Sequence, residues 1–415
     1  MAVEKETVSL ATGQRSFGPG KLEFPLFPTH LSGCPVTSTA DMQYPLELTY
    51  DYGRVKGLRF SGAGARESWQ QILPPLHPKA SMPVGSTPLV DVSAIVPERF
   101  RDRAVFVKDE SRNATWSHKD RLNKYTTSAA LHDGASTIIV ASSGNHGISA
   151  AAMASRAGLA CIVITMPEVS PAFRDMIIGY GAYPVFLPIE ARWPAMRALR
   201  DVPGTYPVSN LTPVHTGHPW GPEGYKTIAY EILEAFDGVP PAAVVVPTGY
   251  GEMLYGIYKG FLEAKQLGLT KRIPQLVSVE PAARGPLYHA LQAGKEAVTV
   301  EARPTIQSGT GCTVNGYRAV VAIRESNGIP VLVTDEAAKA AHAALARQGL
   351  WQEYSASAAF AALDNLQGLE KEGPVVVISS STGLKEPAQA MQVKETKQDL
   401  DSLRAYLKSE FAFEL

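Results

Sequence analysis

Residues 137–147 read TIIVASSGNHG. An apolar, β-branched run ends at Ala141. Two serines, a glycine, an asparagine and a histidine follow, and then an alanine-rich stretch with high helix propensity begins. A continuous apolar run of this length is what a strand buried on both faces of a parallel sheet looks like. The small residues after it let backbone come close to a ligand. A helix over 147–157 would turn its first amides towards an anion. A plain strand-to-helix turn with a serine cap has the same outline, so the weight lies in whether the pattern recurs.

It recurs. Short β-branched runs stand at AVFVKD (104–109), CIVIT (161–165), YPVFL (183–187), AVVVP (243–247), QLVSVE (275–280), PVLVT (330–334) and PVVVIS (374–379). Helical stretches lie between them. KTIAYEILEAF puts Ile228, Ile232 and Phe236 on one stripe. Thr334 is placed to cap DEAAKAAHAALARQ, and Gly349 to stop it. Strands alternating with helices predict a doubly wound α/β fold, in which ligands bind beyond the carboxyl ends of the strands. The first ninety residues, rich in Gly, Pro, Ser and Thr, read instead as an extended arm with short strands, Leu46 to Tyr52 among them.

Three more segments share the strand-end placement. NATWSHKDR (113–121) opens a helix, with Lys119 among Lys108, Arg112, Arg121 and Lys124. Neighbouring cations lower a lysine's pKa and make it a better nucleophile, although an exposed helix start looks the same. PTGYGEMLYG (247–256) suggests a phosphate cradle of main-chain amides, yet its spacing is neither GxGxxG nor a Walker GK[ST]. SSSTGLKEP (379–387) sets hydroxyls at the end of a buried strand, where they can donate to a ligand or cap a helix.

Composition narrows the field. The 415 residues make room for two or three domains at roughly 150 residues each. Apolar residues are 45% and charged residues 19%, which excludes a disordered or fibrous chain. Lys plus Arg number 39 against 40 Asp plus Glu, and a net charge of −1 offers nothing to nucleic acid or an anionic membrane. No apolar run approaches the roughly 18 residues of a spanning helix. MAVEKETVSLATG lacks the layout of a signal peptide, so a cytoplasmic protein is expected. Cys34, Cys161 and Cys312 form no CxxC pair, which argues against a disulfide scaffold or a cysteine zinc site. His215 and His218 make an HxxH in a Pro/Gly-rich loop with no cysteine or carboxylate cluster beside it, so no metal is expected. Arg318 reads as a helix-surface arginine rather than an anion ligand.

Taken together, the four segments resemble the fold-type II pyridoxal-phosphate enzymes, of the tryptophan synthase β-subunit type, and within them threonine synthase. SHKDR is similar to the family's SFKDR, SSGNHG to its asparagine loop, PTGYGEMLYG to its phosphate loop and SSSTGLKEP to its GLKDP ending. GSTPLV (85–90), EGYKTIAYEI (223–232) and EYSASAA (353–359) are weaker echoes. GCPVTSTADMQYPLELTYDYG resembles the N-terminal segment, without its usual paired cysteines. The resemblance runs from about residue 30 to residue 390.

The resemblance implies a two-domain α/β architecture of mostly parallel, twisted sheets flanked by helices. Residues 1–90 are then an arm of the large domain, 91–125 and 206–390 the cofactor-binding large domain, 126–205 a small α/β domain inserted in it, and 391–415 a C-terminal helix. The implied cofactor is pyridoxal 5'-phosphate. Lys119 is implied as its Schiff-base residue and proton carrier, Asn145 as partner of the ring hydroxyl, and Ser380 as partner of the pyridine nitrogen. Gly249, Tyr250, Gly251, Glu252 and Met253 would wrap the phosphate, largely through amides. Ser142, Ser143, Gly144 and His146 would surround the substrate carboxylate, with His118 and Thr87 also facing substrate. A serine at the ring nitrogen is neutral, which favours elimination, replacement or racemisation over transamination.

The implied activity is elimination or replacement on a small amino acid. O-phosphohomoserine to threonine is the nearest precedent, and phosphoserine with sulfite a related one. A threonine or serine ammonia-lyase is the alternative, because SSGNHG is closer to those enzymes, and a silent binding relative is the alternative of another class. The expected assembly is a homodimer without nucleic acid or membrane. His118 stands where phenylalanine is usual and Trp116 where glycine is common, and Glu252 puts an acid in the phosphate loop, its side chain expected to point outward.

Overall fold

The computed structural model describes residues 8–369, 372–386 and 399–414. The arm contributes β1 (Ala11–Ser16), β2 (Glu23–Pro25) and β3 (Leu46–Tyr50), an antiparallel sheet with β1 in the middle. β4 (Leu89–Asp91) and β5 (Val105–Asp109) follow as an antiparallel pair. β6 (Thr137–Ala141), β7 (Ala160–Thr165), β8 (Tyr183–Phe186) and β9 (Thr205–Pro207) form a parallel sheet ordered β8-β7-β6-β9. β10 (Ala243–Pro247), β11 (Gln275–Pro281), β12 (Ile329–Val333) and β13 (Val375–Ser379) join β4 and β5 in a sheet ordered β12-β11-β10-β13-β5-β4, parallel in every pairing except β4 with β5. All eight apolar runs of the sequence are strands.

The reason those runs do not alternate is visible in the packing. Along β10, Val244 and Val246 enter one core while Ala243 and Val245 enter another; along β13, Val376 and Ile378 oppose Val375 and Val377 in the same way. A strand with a core on each face has no use for a polar position. Between the strands, Thr334 caps the helix Asp335–Ala346 by accepting from the Ala337 amide at 3.2 Å, and Gly349 takes a positive φ of 79° just past its end. The helices Gly221–Ala235 and Glu252–Gln266 pack closely because Gly256 has no side chain: a Cβ there would lie 2.4 Å from the Pro222 carbonyl oxygen.

This topology decides where chemistry can sit. β5, β13 and β10 are neighbours in the centre of the larger sheet, and the Lys119 segment, the serine run and the glycine loop leave their carboxyl ends. SSGNHG leaves β6, an inner strand of the second sheet. Met1–Lys385 forms one compact unit and residues 386–415 a second. The second unit holds the helix Leu400–Phe411, capped by Asp399, which accepts from the Ser402 amide at 2.8 Å. The start of the helix expected over 391–415 lies outside the described residues.

Candidate active site

Lys119 is the first residue of the helix Lys119–His132, and the loop before it is sewn to the serine run. Ser117 bridges Ser381, the His118 amide donates to the Ser380 carbonyl at 2.9 Å, and the Thr382 amide donates to the Trp116 carbonyl at 3.3 Å. His118 Nδ1 also meets the Ser380 carbonyl at 3.0 Å. A carbonyl only accepts, so Nδ1 carries the proton and Nε2 remains an acceptor. Burial pushes the His118 pKa well below its ordinary value, and the nearby Lys119 charge adds to the effect. Behind the loop, buried Asp120 accepts from the Thr115 amide (2.7 Å), the Thr115 hydroxyl (2.6 Å) and Ser149 of the helix Asn145–Ala157 (2.6 Å). The lysine and asparagine helices are thereby fixed to each other.

Asn145 opens its helix directly after β6 and is buried. Its Nδ2 donates to Glu353 at 3.1 Å, and its Oδ1 accepts from Ser381 (3.1 Å) and Lys385 (2.8 Å). Glu353 takes a second bond, from the Ser380 hydroxyl at 3.1 Å. One carboxyl group thus joins Asn145 to Ser380. Burial raises the Glu353 pKa, and Lys385 together with its two hydrogen-bond donors pulls the other way.

Uncharged side chains fill the other side of Lys119. The Tyr225 ring stacks on His118 with centres 5.6 Å apart, and Lys119 Nζ lies 5.8 Å from the centre of the same ring. Burial pulls His146 down to about 3, helped by the charge of Lys119 and opposed by Glu252. His215 lies parallel to Tyr250 with centres 4.0 Å apart, and burial, Arg318 and Lys119 push it well below its ordinary value. The Tyr225 hydroxyl, His146 Nε2, Ser117 Oγ and Ser379 Oγ are buried without a hydrogen-bond partner among the described residues. Of these, Tyr225, His146 and Ser117 lie near Lys119, and buried polar atoms left without partners ask for a bound group.

Two loops carry main-chain amides that have no acceptor among the described residues. In the loop after β10, the amides of Gly249, Tyr250 and Gly251 take no backbone carbonyl among the described residues, and Glu252 and Met253 begin the 15-residue helix Glu252–Gln266. Gly251 holds φ at +89°, where a Cβ would come within 2.2 Å of the Ala319 Cβ, so no other residue fits. After β6, the amides of Ser143, Asn145 and His146 are likewise free of backbone partners, at the start of a 13-residue helix. Each loop is a ready anion site; together they suit a phosphate and a carboxylate.

The structure gathers Lys119, His118, Asn145, His146 and Ser380 with these two loops. Thr87 lies elsewhere: its hydroxyl donates to Glu110 at 2.6 Å and accepts from Arg121 at 3.1 Å, inside a buried ion network. Glu252, expected to point outward, is 9% exposed, with Oε1 turned to the 215–218 loop, 2.2 Å from where a Gly217 Cβ would stand. Arg318 is not on the surface. It is 2% exposed and donates to the carbonyls of Thr216 and Leu46, so its helix is pinned to the arm. The HxxH splits: His218 donates through Nε2 to Tyr206 at 3.0 Å and accepts from the Trp220 amide at 3.1 Å, a satisfied core histidine. Among the described residues no group of three or more His, Cys, Asp or Glu is placed to hold a metal. Trp116 takes φ +57°, the left-handed region, which accounts for glycine being common there and costs a bulky residue about 1–2 kcal/mol. Glu353, Lys385, Tyr225 and Cys312, whose sulfur would lie 3.1 Å from a Gly249 Cβ, were not among the sequence candidates. The echo segments EYSASAA and EGYKTIAYEI and the GLK after the serine run were the available signals.

Lys119, orphaned side-chain atoms and two helix starts with amides free of acceptors among the described residues make up the candidate site. The family model for pyridoxal-phosphate dependent enzymes matches residues 80–381, and the chain belongs to that family. Threonine synthase of Methanosarcina acetivorans is 29% identical over 368 residues, covering 86% of this chain and 90% of that one. Threonine synthase of Synechocystis sp. is 32% identical over 336 residues, covering 79% and 85%. Maize serine racemase shares the fold with a TM-score of 0.61 at 19% identity, over 79% of this chain and 94% of that one. The protein is a fold-type II, pyridoxal-phosphate-dependent lyase of the threonine synthase-like kind, whose chemistry is elimination or replacement. No helix among the described residues is long and apolar enough to cross a membrane.

Proposed function

We propose that this enzyme releases phosphate from a phosphorylated amino acid, O-phosphohomoserine being the leading candidate and phosphoserine the next. The two loops whose amides have no acceptor among the described residues support a cofactor phosphate and a substrate carboxylate, and the likeness to threonine synthases supports a phosphorylated substrate. Bound pyridoxal phosphate supplies an electron sink at the substrate's α-carbon. Lys119 holds the cofactor's aldehyde carbon and, once released, moves protons at the substrate carbons. Gly249 to Met253 receive the cofactor phosphate on their amides, and Glu252 keeps its carboxylate turned to the 215–218 loop and away from that charge. Asn145 donates to the ring oxygen, and Ser380 faces the ring nitrogen. Ser142, Ser143, Gly144 and His146 receive the substrate carboxylate, and neutral His118 presents Nε2 as an acceptor beside the lysine. The segment 126–205, with its own sheet, is a small domain that carries the carboxylate loop. The enzyme works as a homodimer in the cytoplasm, and the net charge of −1 supports the absence of a nucleic-acid partner.

The runner-up is an ammonia-lyase acting on threonine or serine, supported by the SSGNHG loop itself. Purified holoenzyme given O-phosphohomoserine, phosphoserine, threonine and serine separates the two. Phosphate release from the first pair supports the proposal. Ammonia and keto acid from threonine or serine, with the phosphorylated compounds inert, overturn it.

A further inference from the structure

An asparagine side chain has nearly the same shape either way round, yet only its N–H face can donate to a cofactor's ring oxygen. Something must choose the face. Ser381 contacts Oδ1, but a hydroxyl donates or accepts with equal ease. Glu353 contacts Nδ2, but burial raises its pKa, and a protonated carboxyl can also do either. The remaining contact is Lys385 Nζ, 2.8 Å from Oδ1. An ammonium group has three donors and no acceptor, so only a carbonyl oxygen can sit opposite it.

The geometry points to Lys385 as a positioning residue that holds the Asn145 carboxamide with its N–H face turned to the cofactor's ring oxygen. This rests on the reading of Asn145 given above. Lys385 is 3% exposed and is itself held: Nζ donates to the Thr115 carbonyl at 2.6 Å and to the Trp116 carbonyl at 3.4 Å. The side chain runs from the segment after β13 to the loop before Lys119 and to the start of the asparagine helix. Burial lowers its pKa to about 8, with Glu353 and Asp120 opposing, so the charge is present at neutral pH. A cation on Oδ1 also polarises the amide and strengthens Nδ2–H as a donor. Of the two Nδ2 hydrogens, Glu353 takes one and the other is left for the ring oxygen.

The test is titration of apoprotein with pyridoxal phosphate at pH 7, reading the dissociation constant and the share of absorbance at the visible edge. Lys385→Met should weaken binding about tenfold, the scale of one hydrogen bond to a charged group, and lower the visible share. Lys385→Arg, still donor-only, should restore both to within about threefold. Asn145→Ala combined with Lys385→Met should be no worse than Asn145→Ala alone, because the lysine acts through the asparagine. Additive losses in the double variant, or an unchanged spectrum in Lys385→Met, overturn the proposal. If Lys385→Met does not fold, Lys385→Gln against Lys385→Arg decides: an ambivalent amide should shift the spectrum and the guanidinium should not, and identical spectra overturn it. An Asn145→Ala protein that binds cofactor as the wild type does would sink the ring-oxygen assignment and this proposal with it. A normal Asn145→Ala loss with additivity sinks this proposal alone.

Discussion

Beneath the arm, Lys226 meets Glu223 at 2.7 Å and Glu263 at 2.9 Å, while Lys259 meets Glu223 at 2.7 Å and Glu47 at 3.2 Å. Tyr50, Tyr52, Tyr230 and Tyr255 donate their hydroxyls to the same carboxylates. Around Lys119 the polar groups are less deeply placed, the histidines are neutral, and amides and several side-chain atoms lack partners among the described residues. Both regions are costly to build. The first compensates each charge from within the chain and so serves the fold; the second leaves its compensation to something bound.

Substitutions should split along that line. Lys119→Ala is expected to lower turnover by at least about a thousandfold and to remove absorbance at the visible edge, with the thermal midpoint almost unmoved, because the lysine has no buried carboxylate to abandon. Lys226→Met should do the reverse. It leaves Glu263 with tyrosine donors but no cation and Glu223 with Lys259 as its remaining cation, and should cost about 3–5 kcal/mol in urea unfolding, with kcat per folded molecule unchanged. A Lys226→Met protein that is stable but inactive would erase the distinction.

The two regions also differed in how far they could be read in advance. A buried parallel strand announces itself over five or six contiguous residues, so all eight runs were legible, as were the four segments at their ends. Each of those segments is one contiguous loop at a strand end, so its composition could suggest a ligand site without any long-range contact being known. Glu353 and Lys385 are different, because their meaning lies in Asn145, which is 208 and 240 residues away in the chain. Nothing local in EYSASAA marks its glutamate as a bridge between two cofactor contacts. Arg318 was read as a surface residue because a helix period cannot reveal that two carbonyls from other segments converge on it. Glu252 misled for the same reason: the His215–His218 loop that receives it folds in from elsewhere. The left-handed backbone at Trp116 is a property of φ alone and left no trace in residue type.

Acid should dismantle the two regions in sequence. Burial alone would raise the Glu47 carboxyl, but Lys259 and Arg15 outweigh it and hold it at about 2, against an ordinary 4.5. A carboxyl held low contributes stability above about pH 4.5 that is lost as pH falls through about 2. His146 is also held low, at about 3 against 6.5, so the unfolded chain takes up its proton first and stability drains from about pH 6.5 down to about 3. In urea unfolding across pH 7 to 2, His146→Asn should flatten the upper part of the slope and Glu47→Gln only the part below about 4.5. Matching profiles for the two variants would mean that the histidine pocket is no less compensated than the ion network.

The smallest expected effect is the sharpest probe, because it compares like with like. Tyr230 and Tyr225 lie on one helix and both are fully buried. The Tyr230 hydroxyl donates to Glu263 at 2.6 Å, whereas that of Tyr225 has no partner among the described residues. Burying an unpaired hydroxyl costs about 1–3 kcal/mol. Tyr225→Phe should therefore leave the apoprotein as stable or more stable, by about 1 kcal/mol. Tyr230→Phe should destabilise it by a similar amount, since Glu263 loses a donor. Activity should move the other way, with kcat/KM falling severalfold in Tyr225→Phe and not in Tyr230→Phe. The Tyr225 ring stays against His118 and Lys119 in either case, so the hydroxyl alone is removed. Loss of stability in Tyr225→Phe without loss of activity would place that tyrosine with the scaffold, and the orphaned oxygen would then be a packing cost rather than a contact held open for substrate.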